Sequence, residues 1–116
     1  MSDEIERRVT QVTSDVTELT EGDTIEISAE DTEYSTDELR ADAGEVTVKF
    51  ENKDEGIRHN FHVFKGSDDS GQSVGMTEIT AGPDEQETTL TLTSGEHYYQ
   101  CDVHSGQMNG TLTVGD

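Results

Sequence analysis

From residue 24 onward, apolar side chains fall on every second position. The stretch 24–28 alternates Ile25 and Ile27 with polar neighbours, and 46–50 alternates Val46, Val48 and Phe50 with Thr47 and Lys49. The same period of two returns in the Leu-Thr alternations of 89–93 and 111–114. Alternation of this kind predicts half-buried strands of ordinary length. Residues 58–64, 74–79 and 97–101 add further predicted strands. Turn signals stand between them at Asp42-Ala43-Gly44, Ser70-Gly71, Gly82-Pro83-Asp84, Ser94-Gly95 and Asn109-Gly110. Seven or so short strands with regular turns predict an all-β fold, a β-sandwich or barrel, over residues 21–116.

Residues 2–20 follow a different period. Ile5, Val9, Val12, Val16 and Leu19 recur at intervals of four, three, four and three, which places them on one stripe of a helix. Asp3 and Glu6 complete a capping-box pattern at its start. An N-terminal helix is therefore predicted over 1–20, read as an arm packed on the domain in preference to an oligomerising or membrane-proximal stalk. The acidic stretch 29–45 leaves two options open around Tyr34 to Leu39: a short strand or a helical turn.

Composition pulls against this picture. Ile, Val, Leu and Phe together number 22 of 116 residues, about 19%, and 7 Lys and Arg face 27 Asp and Glu for a formal charge of −20. By composition alone such a chain falls among disordered ones. The ordered spacing of the apolar residues outweighs composition, because arrangement is what a core requires. The charge still needs a cause. At molar salt the screening length drops to about 3 Å and self-repulsion largely vanishes, so a halophilic protein is the preferred reading. Nucleic acid is excluded as a favoured ligand, since phosphate binding needs clusters of Lys and Arg. The chain shows neither an apolar run of 18 residues nor a secretory signal at its start, so no transmembrane segment or leader is expected within it.

A single cysteine, Cys101, rules out an internal disulfide. It closes a predicted strand, and His104 and Met108 follow in a loop that returns to the last strand. Thiolate, imidazole and thioether form a soft donor set suited to copper, and a trigonal site of two histidines and a cysteine with a weak axial methionine is an electron-transfer geometry. Such a site needs a second histidine. His59 shares strand parity with Phe61 and Val63, whereas His62 has the opposite parity and reads as a surface residue. His97 begins the strand that ends at Cys101, roughly 13 Å away at ~3.3 Å per residue. The predicted metal ligands are therefore His59, Cys101, His104 and Met108.

The His-Asn pair at 59–60, followed by Cys-x₂-His-x₃-Met from 101 to 108 and the strand after it, resembles the blue copper proteins, the plastocyanin-like branch of the cupredoxins. The acidity makes the chain similar to the halocyanins of salt-loving archaea. The resemblance covers residues 22–115. It implies a Greek-key barrel with one copper ion at one end. It also implies that Asn60 ties the first ligand strand to the cysteine loop. Plastocyanins carry an aromatic residue before the cysteine and a proline before the loop histidine, where this chain has Gln100 and Val103. The loop from His104 to Met108 is also one residue shorter than in plant plastocyanins. Without the aromatic, a second electron exit falls to the Tyr98 and Tyr99 pair.

The function expected is a one-electron carrier, not an enzyme, cycling Cu(I)/Cu(II) and passing electrons through His104 to soluble or membrane-bound redox partners. Family resemblance places such a monomeric carrier outside the cytoplasm or on a membrane's outer face. A copper chaperone or scavenger would use the same ligands, but it would be expected to carry His-rich or Met-rich tracts, and none exists here. A metal-free adhesion domain is the third alternative. A multicopper oxidase or nitrite reductase needs further domains, and a dicopper centre needs a second cysteine.

Overall fold

Residues that alternate in sequence bury one face each. The computed structural model describes residues 24–115, which form eleven strands and no helix. The helix predicted over 1–20 lies outside the described residues. In strand β1 (Thr24–Glu30) the buried set is Ile25, Ile27 and Ala29. In strand β4 (Gly44–Asn52) it is Val46, Val48 and Phe50, and in strand β9 (Asp84–Leu92) it is Leu90 and Leu92. Each buried Ile, Val, Leu or Phe among them contributes about 1.5–3 kcal/mol relative to exposure. The stretch left open around Tyr34 resolves into two strands, β2 (Glu33–Tyr34) and β3 (Glu38–Asp42).

The remaining strands are β5 (Arg58–His59), β6 (His62–Lys65), β7 (Ser73–Met76), β8 (Thr80–Ala81), β10 (Gly95–Gln100) and β11 (Asn109–Gly115). One sheet has the order β9-β4-β1-β2, the second β3-β11-β10-β6-β7, and β5 pairs with β8. Both large sheets are mixed. β1 runs parallel to β4, with Ile25 opposite Val48 and Ile27 opposite Phe50. β11 runs parallel to β3, with Leu112 opposite Leu39 and Val114 opposite Ala41. This is the all-β Greek-key sandwich expected, and its core lies between the two inner faces. Four rings fill one part of it: Tyr34 meets Phe50, Phe61 and Tyr99 edge-on at 6.2, 5.9 and 5.4 Å between centroids. Phe61 and Tyr99 approach to 5.1 Å. At Gly110 a side chain has no room, since a Cβ would collide with the Tyr99 ring.

Two predicted strands are shorter than their patterns. Residues 58–64 break at Asn60 and Phe61 because Thr77 takes over the pairing there. The Phe61 N–H donates to the Thr77 hydroxyl at 2.9 Å, and the Thr77 N–H donates to the Phe61 carbonyl at 2.9 Å. The same exchange ends β7 at Met76, so 74–79 is not one strand. Asn109-Gly110, expected as a turn, already belongs to β11. The break at Asn60 frees its side chain to reach another loop.

Candidate metal centre

β10 delivers Cys101 to the base of a loop that folds on itself. The Cys101 N–H donates to the Met108 carbonyl at 3.0 Å, so the two residues stand side by side where the loop begins and ends. Inside it, the His104 N–H donates to the Cys101 carbonyl at 3.2 Å, and the Gln107 and Met108 N–H groups donate to the His104 carbonyl at 3.0 and 2.9 Å. Asn109 Nδ2 closes the outside on the Ser105 carbonyl at 2.8 Å. These bonds set His104 at the crest over a buried cysteine and a buried methionine.

His59 arrives from the other segment, at the end of β5, fully buried. Its Nδ1 lies 3.8 Å from Cys101 Sγ, and His104 Nδ1 lies 3.8 Å from the same sulfur. The two imidazoles meet edge-on at 5.0 Å between centroids. One donor atom from each of His59, Cys101 and His104 falls within 4.8 Å of the others, the only such grouping of His, Cys, Asp and Glu among the described residues. Imidazole nitrogen and thiolate sulfur bind first-row metals at about 2.0–2.3 Å, so two donors on one ion stand up to about 4.4 Å apart. The 3.8 Å separations fit one shared ion. Two nitrogens and a thiol, with a thioether at the loop base, fit copper by softness.

Around these donors runs a polar frame. Asn60 Nδ2 donates to the Asp102 carboxylate at 3.0 Å, and the Asp102 N–H donates back to Asn60 Oδ1 at 2.8 Å. This reciprocal pair joins the His59 strand to the cysteine loop. Gln100 Nε2 also donates to Asp102, at 2.9 Å, and His62 Nδ1 approaches it to 2.9 Å. Partial burial opposes the charged form of Asp102, but the bonds from Gln100, Asn60 and His62 outweigh it and hold the carboxyl below its usual range. The Tyr34 hydroxyl donates to the Asn60 carbonyl at 2.5 Å, and burial, with the Cys101 charge behind it, pushes that phenol far up.

Sequence reasoning placed His59, Cys101, His104 and Met108 here and set two histidines aside. His62 stacks on Phe64 at 4.0 Å and points its Nε2 at Ser73 Oγ, 2.8 Å away. His97 is buried between neighbours on β6 and β11. Neither joins the cluster. Of the tyrosine pair, Tyr99 is fully buried with its hydroxyl on the Thr36 carbonyl at 2.8 Å. The residue missed altogether is Asp54, whose carboxylate stands 2.7 Å from His59 Nε2. No local signal separates it from the other acidic residues of the chain.

Comparison with known proteins settles the lineage. Residues 9–114 match the cupredoxin-like domain. The chain belongs to that family. Among solved structures, this cupredoxin is similar to auracyanin from Roseiflexus castenholzii, with 24% identity, a TM-score of 0.72, and 80% of this chain and 97% of that one covered. It is also similar to auracyanin A, a "blue" copper protein from Chloroflexus aurantiacus, at 26% identity and a TM-score of 0.69, covering 78% and 97%. Amicyanin from Paracoccus versutus follows at 27% identity and a TM-score of 0.57, covering 87% and 86%. No curated protein matches. Copper is the cofactor of cupredoxins, one ion per domain, in agreement with the donor chemistry here. Among the described residues no helix is long and apolar enough to cross a membrane.

Proposed function

We propose that this cupredoxin is a one-electron carrier whose copper would be held by His59, Cys101, His104 and Met108. The observation that carries the reading is the convergence of three soft donors from two distant segments within 4.8 Å, two of them fully buried. Bound there, copper supplies reversible Cu(I)/Cu(II) cycling. The protein supplies a frame that resists rearrangement: the backbone-bonded loop, the Asn60–Asp102 pair and the aromatic cluster hold the donors in one arrangement for both charge states.

His104 is the half-exposed donor and the electron's exit. The exposed large apolar residues of the described chain are Ile57, Met76, Ile79 and Val103. Val103 adjoins His104, while Ile57 and Ile79 flank the β5–β8 pair that carries His59. They form the contact for a redox partner, soluble or membrane-bound, that must dock and leave, burying less than about 1,200 Å² in total. The −20 charge favours a basic partner face at low salt and supports a halophilic origin and a likeness to halocyanins. By analogy with its family the carrier works outside the cytoplasm or on a membrane's outer face, as a monomer and not an enzyme.

Titration of the metal-free protein with Cu(II) tests this reading. One equivalent should produce an intense visible sulfur-to-copper charge-transfer band, absent in Cys101→Ala, with fast reversible voltammetry and slow loss of copper to a chelator. A colourless complex contradicts the reading, and slow cycling with easy copper loss favours a chaperone or scavenger.

A further inference from the structure

Asp54 lies on the loop between β4 and β5, 8% exposed. Three nitrogens converge on its carboxylate. The Asp31 N–H reaches Oδ1 at 2.7 Å, the Thr32 N–H reaches Oδ2 at 2.9 Å, and His59 Nε2 lies 2.7 Å from Oδ2. Asp31 and Thr32 are both left-handed, at φ of 58° and 57°, which is uncommon for any side-chain residue and more so for a β-branched one. Two successive N–H groups aimed at one carboxylate make a backbone cradle for an anion. The loop end is pinned as well: the Asp54 N–H donates to Asn52 Oδ1 at 2.9 Å, and its carbonyl accepts from the Ile57 N–H at 3.1 Å. The carboxylate is thus fixed by backbone independently of the imidazole.

Each oxygen of the Asp54 carboxylate already accepts a backbone N–H, so the geometry presents an acceptor to the imidazole. An ionised carboxylate only accepts, so the nitrogen facing it must carry the proton. In neutral His59 that puts the proton on Nε2 and leaves the lone pair on Nδ1, the atom 3.8 Å from Cys101 Sγ. A carboxylate behind a ligand imidazole also makes it a stronger donor.

We propose that Asp54, seated in the Asp31–Thr32 cradle, is the positioning residue of the centre: it fixes His59 in the tautomer that offers Nδ1 to the metal, and its charge favours the oxidised ion. This rests on the copper reading above for its redox half and on hydrogen bonding alone for its tautomer half.

The test uses the full chain with ¹⁵N-labelled histidine. In the metal-free wild type at pH 8, long-range ¹H–¹⁵N correlation should show His59 protonated at Nε2. Asp54→Ala should populate both tautomers and weaken copper binding about 10–100-fold. Asp54→Asn removes the charge while keeping an acceptor, so it should retain the visible band and raise the reduction potential. A wild-type His59 protonated at Nδ1 overturns the proposal even if neither variant folds. So does an unaltered tautomer in Asp54→Ala together with an unaltered potential in Asp54→Asn. A wild-type protein that stays colourless with copper would instead sink the electron-carrier reading, and the tautomer result would still decide the role of Asp54.

Discussion

Two buried histidines sit at similar depth in this sandwich and do unlike things. His59 is fully enclosed, with Nε2 at 2.7 Å from Asp54 and Nδ1 facing Cys101. His97, 2% exposed on β10, has Nδ1 3.3 Å from the Gly95 carbonyl, and its Nε2 finds no partner. Burial is therefore no mark of a ligand. What distinguishes His59 is that a second segment brings a sulfur and another imidazole to one of its nitrogens while a fixed anion occupies the other. An unpartnered buried nitrogen carries a desolvation cost of about 1–3 kcal/mol, and the sandwich tolerates it at His97.

The sharpest way to break this contrast is to remove each ring in turn. His59→Gly should abolish the visible copper band of the loaded protein, whereas His97→Leu should leave it intact; loss of colour in both would mean that fold integrity, not ligation, governs the spectrum. Next in size is Asn60→Ala, which deletes both bonds of the Asn60–Asp102 pair. With a charged partner left at Asp102, the loss should be about 1.5–3 kcal/mol in chemical denaturation of the metal-free protein. A smaller effect is expected from salt. Raising ionic strength from about 0.01 to 1 M shortens the screening length from about 30 to 3 Å, so the melting temperature should rise as the −20 surface is screened, while the visible band of the buried centre stays in place. The smallest change concerns stability in His97→Leu. Replacing a ring that has one unpaired nitrogen by an apolar side chain should be neutral or stabilising by about 1 kcal/mol, read from the same denaturation curves.

Much of this organisation is written in local pattern. Ile25, Ile27, Val46, Val48 and Phe50 announce their faces by parity, and the same rule sets His59 with the buried residues and His62 apart from them. Cys101, His104 and Met108 are close in sequence, so a loop held at both ends suffices to gather them. The illegible parts depend on contacts between distant segments. Thr77 interrupts the strand at Phe61 from sixteen residues away, and nothing at 58–64 hints at it. Asp54 resembles every other acidic residue until the turn at Asp31 and Thr32 folds over it. Gln100 belongs to the face opposite Cys101, yet it is buried, bonded to Asp102 and to the Tyr98 hydroxyl.

X-ray absorption at the copper edge of the loaded protein tests the central claim most directly, because it counts the donor atoms on the ion. One short sulfur and two imidazole nitrogens should surround the metal, as His59, Cys101 and His104 dictate. A first shell without sulfur, or with a single imidazole, would contradict it.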